Sequence, residues 1–197
     1  MALSDTPSRH PADLQTYFEL SAQSEERHEF EAGEMVAMGR TSLRHSALML
    51  NAATALRQAT QGRSCLVLAE TVSVEVQADT HYFLPDVLLT CDAEDLQAEQ
   101  LICHPSLIVE VLSPATEQRD RGVKFMAYLK MPDLQYYVLL SQEQVRVEVY
   151  GKMPDGPGWT FNYYEQWDDT IALPKLSMTL SVRDLYAGIS WRDAGDT

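Results

Sequence analysis

Hydrophobic residues return along this chain with two different periods. In residues 45–59, HSALMLNAATALRQA, they recur at Leu48, Ala52, Ala55 or Leu56, and Ala59. This is the spacing of a helix with one buried face, and Gly62 follows as a stop. Beyond it the period shortens to two, or to unbroken apolar runs. CLVLAETVSVEV (65–76), YFLPDVLLT (82–90), SLIVEVL (106–112), LQYYVLLS (134–141) and QVRVEVYG (144–151) read as five strands. Between the third and fourth runs, residues 117–130 predict a helix that ends before MPD. A strand, a crossover helix and a strand imply one parallel pairing within an otherwise antiparallel sheet.

Upstream, DLQTYFELSAQSEE predicts a short helix with Asp13 as N-cap, and RHEFEAGEMVAM alternates about a glycine as a hairpin does. Downstream, MPDGPG (153–158) is a loop, WTFNYYEQW a further strand and SVRDLYAGI a small terminal helix. The predicted class is α/β (α+β): a mixed β-sheet flanked by helices, with an N-terminal helix and hairpin extension. A length of 197 residues suits one domain, expected over 13–190, with a flexible arm at 1–12 and a tail at 191–197. The first residues lack a basic-then-apolar leader and no apolar run is long enough to cross a bilayer, so the expectation is a cytoplasmic protein with no membrane partner. Cys65, Cys91 and Cys103 are widely spaced without a Cys-x-x-Cys, which predicts small buried hydrophobes rather than a disulfide framework or a zinc site.

Charge narrows the function classes. A formal net charge of −14 opposes non-specific binding to phosphate backbones, which depends on Lys and Arg. Most of the 29 acids must form a solvated surface, and a few could bind a cation. Two acids stand out because they interrupt apolar strands: Asp86, after Pro85, and Glu110, in the middle of SLIVEVL. A carboxylate there is costly unless it is paired or holds a metal, and two on neighbouring strands repel unless a cation lies between them. Mg²⁺ suits such a pair, since it takes one or two carboxylates and keeps several waters. Taken singly, each acid could equally face solvent or an arginine at a strand end.

LPDVLLT, followed about twenty residues later by LIVEVLSPATEQRDRGVKFMAYLKMPDLQYYVLLS and then RVEVYG, resembles the Uma-type restriction endonuclease family, a branch of the PD-(D/E)XK nuclease superfamily. HEFEAGEMVAM and SLRHSALML also match its pattern, and the likeness covers residues 15–190. The resemblance implies a restriction-endonuclease-like core, hydrolysis of DNA phosphodiester bonds with Mg²⁺ or Mn²⁺, and Asp86 and Glu110 as metal ligands. A homodimer is a further expectation, since nucleases of this type often pair to cut both strands.

The chain departs from the superfamily pattern where a lysine should stand two residues after the second acid, because that position is Leu112. On the following helix Asp120, Lys124 and Tyr128 fall at i, i+4 and i+8 on one stripe, so Lys124 is the candidate for a relocated catalytic lysine; the alternative is a surface Asp120–Lys124 pair. Further candidates are Glu70, where the family usually carries an aspartate, His45, at the start of the helix, and Glu29, in the hairpin, whose plainer role is to pair with an arginine. Aromatics in WTFNYYEQW could stack bases, although core packing is the commoner use. Against the nuclease stand a nuclease fold that has lost catalysis and serves as an interaction module, and hydrolysis of another phosphoester.

Overall fold

The computed structural model describes residues 8–24, 26–39, 41–70 and 72–191. Strand β1 (Arg9–Pro11) precedes helix α1 (Leu14–Gln23), which starts where the Asp13 carboxylate accepts the Thr16 N–H at 2.8 Å. β2 (His28–Glu31) and β3 (Glu34–Ala37) form the expected hairpin. Ala32 and Gly33, both at positive φ, make its two-residue turn. Helix α2 (Leu43–Ala59) is capped by Ser42, whose hydroxyl accepts the His45 N–H at 3.0 Å.

After these come β4 (Leu66–Ala69), β5 (Ser73–Gln77), β6 (His81–Phe83), β7 (Val87–Thr90), β8 (Leu101–Ile102) and β9 (Leu107–Leu112). Helices α3 (Glu117–Asp120) and α4 (Val123–Tyr128) lead to β10 (Tyr136–Ser141), β11 (Val147–Lys152) and β12 (Trp159–Tyr164). The hairpin β13 (Thr170–Leu173) and β14 (Met178–Ser181), not expected from the sequence, precedes the short α5 (Val182–Leu185).

Two six-stranded mixed sheets result, ordered β1-β3-β2-β6-β5-β8 and β12-β11-β10-β9-β7-β4. The crossover does place β9 parallel to β10. Several expectations change. Residues 9–11, assigned to a loose arm, form an edge strand on β3, while residues 1–7 and 192–197 lie outside the described residues. The runs 65–76 and 82–90 are each two strands belonging to different sheets. The chain changes sheet at Glu70, in the left-handed region at φ +63°, and around Pro85, which has no N–H for a ladder. These two crossings touch, for the Glu70 N–H donates to the Asp86 carbonyl at 3.1 Å. The helix expected over 117–130 is broken at Gly122 into α3 and α4.

The central strands are buried on both sides. Val109 and Val111 of β9 pack with Leu48, Ala52 and Leu56 of α2 and with the β13–β14 hairpin, whereas Ile108 and Leu112 face Tyr128, Leu134 and Tyr137. Fully burying Leu48 or Leu56 contributes roughly 1.5–3 kcal/mol each. The two-residue period then decides the position of Glu110. It shares the face of Ile108 and Leu112, toward α4. Cys65 and Cys91, expected as separate buried hydrophobes, are joined by a disulfide one step beyond the Leu66–Thr90 pair of the β4–β7 ladder.

Candidate active site

The β7–β9 register pairs Val87 with Val109, so the next step brings Asp86 alongside Glu110 just where β7 ends. The Asp86 N–H donates to Glu110 Oε2 at 3.2 Å, and Asp86 Oδ2 accepts the Val111 N–H at 2.6 Å. A side-chain oxygen thus satisfies a backbone donor beyond the last paired residues of the ladder. Asp86 Oδ1 lies 3.0 Å from His45 Nε2. Since an ionised carboxylate only accepts, that nitrogen carries the proton. The first turn of α2 therefore supplies His45 as a brace for Asp86.

Glu110 is held by α4. Its Oε1 accepts from Lys124 Nζ at 2.9 Å and from Tyr128 Oη at 3.1 Å. Lys124 also lies 2.9 Å from Glu29 Oε1 and 3.7 Å from Asp120 Oδ1. The stripe read from the sequence is real, and the Asp120–Lys124 pair is not a surface one, since both residues are 2 % exposed. Glu29, fully buried on β2, accepts the Leu84 N–H at 3.0 Å through the oxygen that meets Lys124, and its other oxygen lies 2.9 Å from Arg119 Nη1. Arg119 Nη2 donates to Glu31 at 2.9 Å. Glu29 consequently ties the Leu84–Asp86 segment, α3 and α4 together. Arg119 was missed in the sequence, where its place beside Asp120 was the one available sign.

Glu70 reaches the same cleft, but its carboxylate pairs with Arg27 at 3.3 Å. Asp86, Glu110, Asp120, Lys124 and His45 line this cleft, of about 970 Å³, whereas Glu29 lies behind it.

Four carboxylates (Glu29, Asp86, Glu110, Asp120) gather around one lysine, Lys124, and around Arg119, which Glu29 shares with Glu31, so acids outnumber bases here. The proton affinities follow. Burial, reinforced by Asp86 and Asp120, pushes Glu110 well above the ordinary carboxylate range against the opposing pull of Lys124. Burial likewise raises Asp120 to about 6. Burial by itself lowers Lys124, but Glu110, Glu29 and Asp120 outweigh it and raise the group well above its ordinary value, so it stays an ammonium. Burial also raises Tyr128, which remains a phenol that donates to Glu110.

Among the described residues no group of three or more His, Cys, Asp or Glu side chains is disposed to cage a metal. Two carboxylates opening on one cleft are enough for a hard cation that fills its other positions with water and phosphate oxygens. A site with more acids than bases fits such a group.

A mixed-sheet α+β domain with an acid-lined cleft at the end of two central strands is the restriction-endonuclease-like fold. A crystal structure described as a putative nuclease belonging to DUF820, from Anabaena variabilis, superposes with a TM-score of 0.72 at 19% identity, covering 90% of this chain and 98% of that one. The chain itself belongs to the Uma2 family, described as "Putative restriction endonuclease", whose model matches residues 14–183. Two proteins of Synechocystis described only as uncharacterized are similar to it. One is 34% identical over 89% of this chain and 91% of its own length, the other 30% identical over 71% and 80%. No helix among the described residues is long and apolar enough to cross a membrane.

Proposed function

We propose that this protein is a divalent-metal-dependent nuclease that hydrolyses phosphodiester bonds of DNA, with Asp86 and Glu110 as the ligands of Mg²⁺ or Mn²⁺. The observation that carries the reading is the meeting of Asp86 and Glu110 at the cleft, within a cluster where acids outnumber bases. When bound, the ion would polarise the phosphodiester and make a water nucleophilic at neutral pH. The remaining work falls to the chain. Lys124 presents a fixed ammonium to the charge that develops on the phosphate, in place of the lysine missing at position 112. Glu29 and Tyr128 hold Lys124 and Glu110 in register, and His45 and the Val111 N–H each fix one oxygen of Asp86 at the cleft.

One observation favours a catalytically inactive interaction module instead. The arginines at the cleft are already engaged within the protein: Arg27 with Glu70, Arg44 with the Gln142 carbonyl and the Trp191 ring, and Arg119 with Glu29 and Glu31. Calorimetric titration with Mn²⁺, together with cleavage of supercoiled and single-stranded DNA, separates the two. The nuclease reading expects Mn²⁺ binding and cleavage, both lost in Asp86→Ala and Glu110→Ala. Protein that binds Mn²⁺ yet leaves every DNA form intact refutes it.

A further inference from the structure

Of the two edges of the central sheet, β4 and β12, β12 is the longer and the one that exposes a row of aromatic rings. β12 pairs on one side with β11 through six unbroken partners, from Lys152↔Trp159 to Val147↔Tyr164. Among the described residues its outer side meets no other strand. Edges are normally blunted by lysine, proline or a bulge. Residues 159–164, WTFNYY, contain none of these and no charged side chain, in a chain of net charge −14. By contrast, the edge strand β1 carries Pro11 and Arg9. The expected core role is met at the two ends of the strand, where Trp159 and Tyr164 are half-buried against the core, but not in its middle: Phe161 and Tyr163 are 50% and 56% exposed. They extend a row of rings that starts in the core, Tyr150 to Phe161 at 5.0 Å and Phe161 to Tyr163 at 6.2 Å.

We infer that β12 is the interface of a homodimer in which two copies pair this strand antiparallel to itself about a two-fold axis. Directly opposed residues in an antiparallel pair share a face, so a two-fold axis can pass only through a residue position. Centred on Asn162, it sets Phe161 opposite Tyr163 in both halves; centred on Phe161, it sets Phe161 opposite itself and Trp159 opposite Tyr163. Either register converts the exposed ring row into cross-strand aromatic pairs, which stabilise a sheet. Neither end brings an unpaired charge to the edge: Glu165 is bridged to Arg146 at 2.7 Å, and Lys152, on β11 beside Trp159, donates to the Met131 and Pro132 carbonyls. A second copy satisfies the edge and the rings by symmetry.

Sedimentation of the full chain over a concentration series tests this. The wild type is expected to be dimeric, and Phe161→Lys, which sets like charges close together at the axis, is expected to weaken the dimer by about tenfold or more while leaving the circular dichroism unchanged. Asn162→Cys and Phe161→Cys, compared with the wild type under the same mild oxidation, locate the axis, since one of them is expected to cross-link as a dimer. A wild type that stays monomeric overturns the inference, whether or not its edge then captures an extended peptide. So does a dimer unaffected by Phe161→Lys that neither cysteine cross-links.

Discussion

Replacing Lys124 by Met removes the ammonium and keeps most of the side chain's bulk. In the native protein that ammonium meets Glu110 and Glu29 at 2.9 Å and Asp120 at 3.7 Å, all of them almost fully buried at the wall of the cleft. Deleting one partner of a buried ion pair costs about 3–5 kcal/mol, because the other charge stays buried without compensation. For a chain of this size that corresponds to a fall in Tm of roughly 6–20 °C. The loss should depend on pH. Without Lys124 the surrounding carboxylates bind protons more tightly in the folded state than in the unfolded one. Their penalty is then complete above the folded-state pKa and shrinks as pH falls below it. Asp120, already raised to about 6 by burial, sets the lower end of that window. Urea unfolding of Lys124→Met and wild type at pH 8 and pH 5, in chelator and in Mn²⁺, measures the effect. The expected result is a large deficit at pH 8, a smaller one at pH 5, and partial recovery with Mn²⁺ at pH 8. Equal stability of the two proteins at pH 8, or a deficit that does not change with pH, would refute the charge argument.

Asp120→Asn should stabilise the chelator-treated protein at pH 8 by about 3 kcal/mol, because a carboxyl raised from 3.8 to about 6 opposes folding once ionised. The gain should fade as pH drops from about 6 toward 3.8, and destabilisation at pH 8 would contradict it. Gly122→Ala would set a Cβ 2.7 Å from the Gln118 carbonyl, so the α3–α4 junction must move at a cost of about 1–3 kcal/mol. Because the shift separates Arg119 from Lys124, any DNA cleavage should fall further than stability alone explains, as single-turnover rates below the unfolding range would reveal. Closing a loop of sequence separation 26 with the Cys65–Cys91 disulfide stabilises the fold by about 3 kcal/mol, and dithiothreitol should lower the urea midpoint accordingly, with no effect on Cys65→Ser.

The elements that obey one local rule were legible in the sequence. Asp13 caps α1, the 45–59 spacing gives α2, and the strand–helix–strand order gives the parallel β9–β10 pair. The acids in apolar strands and the Asp120–Lys124–Tyr128 stripe also pointed to the cleft, because an ionisable group at a core position of a periodic element needs a partner. What the sequence could not show is which sheet a strand joins. Periodicity reports that a face is buried and not what buries it, so 65–76 and 82–90 looked continuous although each crosses between sheets. Tertiary structure alone decided the meeting of Glu29 with Arg119 and Lys124, some ninety residues apart, as well as the Cys65–Cys91 bond, because each is a contact between elements whose local patterns carry no mark of each other. By itself the sequence marked Asp86 and Glu110 as acids interrupting apolar strands; only the packing of the elements decided that they are gathered with Glu29, Asp120, Lys124 and Arg119 into a single cluster with more acid than base.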